Sequence, residues 1–237
     1  GEKVVVVYED DLDEDGKFDI YAVEINDRLE AGSPYKISNT TGNCSNPSIA
    51  TSGSDVFVAW QDDATGLSEI YYAKGNNSSS LDVDITWSSP IRITSSRGNS
   101  VNPKIKTDYL GNIYIVFQDD RTRNSYNSIY VSKYDTNTEQ WLSSNHEGFD
   151  VRIENYVTSS IKPSFDIDIY GNLAICWEST KEGKSRISKS IYDGLFTIDT
   201  SVAGSFSLDD NGSSTIVKNN TRQPIGAITP DLQTVIL

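Results

Sequence analysis

Asn46-Pro47-Ser48-Ile49-Ala50-Thr51, followed a few residues later by Val56-Phe57-Val58-Ala59-Trp60, is the stretch whose reading decides the fold. The proline segment returns as Asn102-Pro103-Lys104-Ile105-Lys106-Thr107, as Lys162-Pro163-Ser164-Phe165-Asp166-Ile167 and as Gln223-Pro224-Ile225-Gly226-Ala227-Ile228. The prolines stand 56, 60 and 61 residues apart, a period that indicates a repeat architecture before any single motif is considered. The apolar run returns with it, as Ile113-Tyr114-Ile115-Val116-Phe117 and Leu173-Ala174-Ile175-Cys176-Trp177, and Val4 to Tyr8 supplies a first copy with no proline segment before it. Short apolar runs rich in β-branched and aromatic residues read as strands buried on both faces.

Two further strands complete each unit. The third is Phe18 to Val23, Glu69 to Lys74, Ser128 to Lys133 and Ser185 to Ile191; the fourth is Pro34 to Ser38, Pro90 to Thr94, Asp150 to Glu154 and, more weakly, Ser214 to Lys218. Four short antiparallel strands per unit of this size describe the blade of an all-β propeller. The expected organisation is a single domain over residues 1–237, with repeat units at about 1–45, 46–101, 102–161 and 162–222 and a partial unit at 223–237. The chain starts at a second strand and ends on a first strand plus Gln233 to Leu237, which falls in a second-strand slot. Two arrangements answer this phase: a ring of about four blades closed by the N- and C-terminal strands, or strand exchange with another molecule, because an unpaired terminal strand invites pairing. A truncated larger propeller fits the same surplus.

Thirty-four acidic against 20 basic residues give a formal charge of -14. Phosphate binding needs clustered Lys and Arg, so nucleic acid is not an expected partner. No stretch reaches the roughly 18 apolar residues of a membrane span. The first residue is not Met and no signal-like apolar run opens the chain, which leaves a processed leader or a fragment as expectations. Six N-x-[ST] sequons, at Asn39, Asn43, Asn76, Asn77, Asn211 and Asn219, point to an extracellular or cell-surface protein. Cys176, inside an apolar run, reads as a buried free thiol; a bridge to Cys44 stays open.

The chemical signal is Asp11-Leu12-Asp13-Glu14-Asp15-Gly16-Lys17-Phe18-Asp19. Carboxylates at loop positions 1, 3, 5 and 9, with glycine at 6 for the sharp turn, suit a hard cation, and calcium is the natural occupant. An EF-hand is excluded because Ala22 stands where that loop wants Glu. The pattern resembles the calcium loops of integrin-type propeller blades, and that resemblance implies Asp11, Asp13, Asp15 and Asp19 as ligands with the Lys17 carbonyl as a fifth.

Ser80-Leu81-Asp82-Val83-Asp84-Ile85-Thr86-Trp87 resembles the Asp-box (BNR) repeat S-x-D-x-G-x-T-W of sialidase-like propellers, with Asp84 in place of the glycine. The resemblance implies a propeller with structural turns on the face opposite a sialidase's active site, and does not by itself imply hydrolysis. Such sialidases use three arginines, a Tyr nucleophile with a Glu partner, and an aspartic acid. Here the arginines are Arg28, Arg92, Arg97, Arg121, Arg123, Arg152, Arg186 and Arg222, and no F-R-I-P-like start occurs. Arg92 and Arg152 hold equivalent fourth-strand positions, as a repeat-imposed structural role would give. Asp10, Asp62 and Asp119 recur at one turn, where they either ring a mouth of the propeller or cap tight turns. His146 has no spacing that assembles a triad or zinc site, and Trp60, Trp87, Trp141 and Trp177 read as packing residues.

The sequence therefore predicts no catalytic residues. It points to a calcium-stabilised extracellular propeller that acts as a binding, adhesion or surface-assembly module, with glycans or surface proteins as partners and self-assembly through terminal strands. The alternative is a sialidase-like glycoside hydrolase or a fragment of one.

Overall fold

A computed structural model describes residues 4–76, 85–121, 126–142, 150–153, 159–168, 171–181, 184–192, 226–228 and 234–236. Every regular element among them is a β-strand, and all the strand pairs are antiparallel. The first sheet holds β1 (Val4–Asp10), β2 (Asp19–Ile25) and β3 (Tyr35–Lys36). The second holds β4 (Cys44–Ser52), β5 (Asp55–Asp62), β6 (Glu69–Asn76), β7 (Thr86–Trp87) and β8 (Ile91–Arg92). The third repeats that plan with β9 (Ser100–Thr107), β10 (Ile113–Asp119), β11 (Ser128–Asp135), β12 (Gln140–Leu142) and β13 (Asp150–Arg152). The fourth contains β14 (Ser159–Ile167), β15 (Leu173–Lys181) and β16 (Lys184–Tyr192). Finally β17 (Gly226–Ile228) pairs with β18 (Thr234–Ile236). The repeat unit read from the sequence is thus a propeller blade.

The apolar runs become the centre of each blade because both of their faces are covered. On β5, Phe57 and Ala59 face the third sheet with Ile105, Ile113 and Ile115, while Val56, Val58 and Trp60 face the first with Ile20 and Ala22. On β10, Ile113, Ile115 and Phe117 point back to the second sheet, and Tyr114 and Val116 point forward to Phe165, Leu173 and Ile175. The core is therefore a series of layers between successive blades. Both period-2 faces of a central strand are buried, which is why the sequence shows runs instead of alternation.

The proline segments form the innermost strands, with β4 beside β9, β9 beside β14 and β14 beside β17. β4, β9 and β14 each carry a bulge where the ladder slips, between Ser45 and Ser48, opposite Val116 and Gln118, and between Ile161 and Ser164. The residue before the proline sits in the left-handed region, with φ of 54° at Asn46, 55° at Asn102 and 53° at Lys162. A bulge frees a backbone N–H from its ladder. The preceding blade answers it: Asn46 N donates to Glu9 Oε2 (2.7 Å), Asn102 N to Gln61 Oε1 (2.9 Å) and Lys162 N to Gln118 Oε1 (2.8 Å). The acceptor is always the residue after the aromatic that ends the apolar run. One position thus latches three successive blade junctions.

Fourth strands are shorter than expected, only two or three residues each, and continue as one extra backbone bond from Ile37 N, Ile93 N and Ile153 N to Ile20 O, Ile70 O and Ile129 O. The third strands are long enough to take a second partner on the same edge, β7 on β6 and β12 on β11. At the chain's end β17 and β18 pair with each other, and β17 packs beside β14 as the first strand of a further blade. Among the described residues neither pairs with β1, whose Val4 and Val6 are exposed. The predicted strand Ser214 to Lys218, most of the Asp-box-like turn, and His146 lie outside the described residues.

Candidate functional site

The β1–β2 loop is built by its own carboxylates. Asp11 accepts backbone hydrogen bonds from Asp15 N (3.0 Å) and Gly16 N (3.1 Å), and Asp15 accepts one from Lys17 N (2.9 Å). Glu14 turns the chain at φ 58° and Gly16 at φ 85°, where no neighbour crowds the missing Cβ. A positive φ of that size is what glycine allows without a penalty. The result gathers one carboxylate oxygen from each of Asp11, Asp13 and Asp15 within 4.8 Å of one another, at an exposed rim.

Asp19, the fourth expected ligand, opens β2 beside the loop. It is buried, accepts from Ser38 Oγ (2.7 Å) and pairs with Lys36 Nζ at 2.5 Å. The same ammonium reaches Asp13 at 2.8 Å. Lys36 is thus the cation already between loop and strand. Burial alone would lower its pKa, but the hydrogen bonds to Asp13 and Asp19 outweigh that and raise it, while Lys36 holds Asp13 below the usual carboxylate range. The Lys17 side chain donates to Thr41 O across the blade junction. Asp11, Asp13 and Asp15 thus present an oxygen-only donor set of the kind a hard cation takes.

The equivalent loops of the next blades make a plainer turn. Asp63 Oδ1 accepts from Asn43 N (2.7 Å) and Asp120 Oδ1 from Asn99 N (2.6 Å). Gly42 and Gly98 precede those asparagines because a Cβ there would lie 2.2 Å from Asp62 Oδ1 and 2.3 Å from Asp120 Oδ1. Asp62 and Asp119 are buried and cap their turns: Asp62 accepts from Ala64 N (2.8 Å), Thr40 Oγ1 (2.5 Å) and Cys44 Sγ (3.3 Å), and Asp119 from Arg121 N (2.6 Å) and Ser100 Oγ (2.6 Å). Of the two readings of the recurrent aspartates, turn capping describes these two.

A three-layer ladder runs through the same end of the first three blades. The aromatic of the second strand stacks on a third-strand tyrosine: Tyr8 on Tyr21 (5.9 Å), Trp60 on Tyr71 (6.2 Å) and Phe117 on Tyr130 (5.9 Å). Across the next ladder those tyrosines face Lys36, Arg92 and Arg152. Burial raises the pKa of Tyr21 and Tyr71 and pushes Tyr130 up to about 12, so these phenols stay protonated. In the third blade Arg121 lies over the Tyr130 ring at 4.2 Å and is clamped by Asp119 (2.7 Å) and, through both Nη atoms, by Asp150 (2.9 Å each). In the sequence Arg121 is one of eight arginines and carries no assigned role. Its signal is the local Asp119-Asp120-Arg121, where the first two blades have Asp-Asp followed by Leu12 or Ala64 and the fourth has Ser179-Thr180 in place of the Asp pair.

The remaining expectations are placed as follows. Trp60 and Trp177 are fully buried, Trp87 packs on the core between the first two blades, and Trp141 packs edge-on to Tyr72 (5.3 Å). Cys44 and Cys176 are separate buried free thiols; burial pushes Cys44 up to about 12, with Asp62 adding to it, and Cys176 up to about 11. Arg123 and Arg222 lie outside the described residues. Among the described residues no helix is long and apolar enough to cross a membrane.

No family model matches the sequence, and no curated protein matches it. Solved structures resemble the fold. A mutant of Trypanosoma rangeli sialidase displaying trans-sialidase activity superposes with a TM-score of 0.61 at 10% identity, over 96% of this chain and 40% of its own. A Hadza microbial sialidase gives 0.56 at 11% identity, over 81% and 42%. The endo-arabinase from Bacteroides thetaiotaomicron VPI-5482 gives 0.55 at 12% identity, over 100% and 89%. The likeness is one of fold: an all-β propeller of the kind on which these glycan-processing proteins are built. The chain spans about two-fifths of the length of the sialidases it resembles.

Proposed function

We propose that the chain is a calcium-stabilised, glycan-binding propeller, secreted or displayed at a cell surface, that recognises carbohydrate without hydrolysing it. The observation that carries this reading is how the recurrent acids of the blade rim are used. Asp62, Asp119 and Asp150 accept from neighbouring hydroxyl, backbone and guanidinium groups, and Glu69 accepts from Thr94 Oγ1 at 2.5 Å. The ladder tyrosines stay protonated, and Tyr21 and Tyr130 are buried, which ill suits them to act as nucleophiles. Asp11, Asp13 and Asp15 would hold the ion, with Asp19 and the Lys17 carbonyl joining by resemblance to integrin-type loops. Bound calcium supplies charge neutralisation at a crowded acidic loop, and binding to the folded state alone adds stability by mass action.

The likeness to sialidases and an endo-arabinase supports a carbohydrate as the partner, and it equally favours a second reading, a hydrolase or a piece of one. Glycan-array binding of the chain with calcium and with excess chelator tests the first. Saturable binding to a defined glycan class, a melting temperature lowered by chelator and no turnover of a fluorogenic glycoside panel are expected. Turnover of any panel member would replace the binding module with the hydrolase, and an unchanged melt in chelator would remove the calcium.

A further inference from the structure

The residue after the strand-one proline is Ser48 in β4, Lys104 in β9 and Ser164 in β14. These three successive innermost strands line a cleft of about 410 Å³ whose wall also includes Lys106, Phe165 and Asp166. That volume lies within the range of small-molecule sites, about 300–1,000 Å³. Lys106 is paired across the blades with Asp166 at 3.1 Å. Lys104 reaches the water of the cleft, yet no carboxylate pairs with it among the described residues. The surrounding strands withdraw enough bulk water to lower its pKa. Lys104 is exposed to the cleft, and in a chain of net charge -14 it is an ammonium that no carboxylate of the described residues engages, which leaves its charge available to an anion entering between the three strands.

The same layer offers further donors. Ser48 Oγ accepts from Ile105 N at 3.2 Å, which leaves its own proton to give. Ser164 holds the equivalent place on the opposite wall. We propose that this cleft is a carboxylate-binding site, in which the Lys104 ammonium carries the counter-charge and the Ser48 and Ser164 hydroxyls donate to the carboxylate oxygens. One ammonium matches one negative charge. A dianion would meet twice the repulsion of the acidic surface, so a monoanionic carboxylate is favoured over phosphate. The carboxylate could belong to a free organic acid or to an acidic sugar, and the site stands on the cleft alone, independently of calcium or of glycan recognition at the rim.

Lysine side-chain NMR of the full chain, titrated separately with sodium acetate, sodium glucuronate and inorganic phosphate at fixed ionic strength, tests it. Saturable shifts of the Lys104 signal with a carboxylate are expected. Lys104→Gln should weaken that binding at least tenfold without lowering the melting temperature, Ser48→Ala should weaken it several-fold, and Lys74→Gln, on β6 and outside the cleft, should leave it unchanged. Equal affinity for acetate and glucuronate assigns a free carboxylate, and a preference for glucuronate assigns an acidic sugar. The absence of saturable shifts, indifference to Lys104→Gln, or tighter binding of phosphate than of either carboxylate would overturn the proposal.

Discussion

Replacing Arg121 with methionine keeps a long side chain beside Tyr130 and deletes the cation between two buried carboxylates. Asp119 is fully buried and Asp150 nearly so, and Arg121 contacts Asp119 at 2.7 Å and Asp150 twice at 2.9 Å. Burial alone would lower the guanidinium's pKa, and the two carboxylates overcome that and raise it. Because the pair is away from water, the exposed-pair figure of about 0.2–1 kcal/mol does not apply. Removing one partner of a buried pair costs about 3–5 kcal/mol, because a charge is left without compensation. For a chain of this size each kcal/mol moves the melting temperature by roughly 2–4 °C, so Arg121→Met should melt roughly 6–20 °C lower. Urea unfolding followed by tryptophan fluorescence, with thermal melts in parallel, measures it. Adding Asp119→Asn and Asp150→Asn to the methionine variant should recover much of the loss, since the uncompensated charges are then gone. A loss below about 1 kcal/mol, or a triple variant no better than the single one, would refute the account of the clamp as a desolvated charge network.

Other perturbations probe the repeat positions. Burial raises the pKa of Glu69 above its ordinary value, so the folded state holds its proton more tightly than the unfolded state and stability is lost as pH rises through the folded pKa. Glu69→Gln should match the wild type below about pH 4.5 and exceed it at neutral pH in urea unfolding at the two pH values, each tenfold difference in proton affinity between the folded and unfolded states being worth about 1.4 kcal/mol. Gly98→Ala drives a Cβ to 2.4 Å from the Arg121 backbone nitrogen, and overpacking of this kind should cost about 1–3 kcal/mol. Gln118→Leu leaves Lys162 N without its acceptor at the third blade junction, and the same unfolding assay should show a loss of about 1–3 kcal/mol.

What the sequence disclosed and what it withheld divide along the range of the interactions. The apolar runs at Val56 to Trp60 and Ile113 to Phe117 announced their strands because two buried faces leave a local mark. Asp11, Asp13 and Asp15 were legible for the same reason: three carboxylates two residues apart on one loop are brought together by that loop's own hydrogen bonds. The ion pair of Asp19 with Lys36 was not legible, because Lys36 arrives from the third-fourth strand ladder 17 residues later. Gln61 and Gln118 look like ordinary turn residues until the next blade's left-handed Asn102 and Lys162 supply the N–H that each accepts. Gly42 and Gly98 read as loop glycines, and their close approach to Asp62 and Asp120 exists only after the blade has folded.

The ladder of aromatic, tyrosine and cation carries the synthesis one step further. It is complete in three blades and stops in the fourth, where Trp177 stands opposite Ser188. The buried third-strand start changes one blade earlier, from Asp19 and Glu69, which accept from Ser38 and Thr94, to Ser128. A position kept by every blade serves the common architecture, as the Glu9, Gln61 and Gln118 latch does. A position that differs in one blade is free of that duty. The acidic loop of the first blade, the Arg121 clamp of the third and Lys104 in the cleft are departures of this second kind. Each places charge where its repeat equivalents place a short turn, a small residue or a hydroxyl. The charges that set these blades apart from one another therefore sit at those three places.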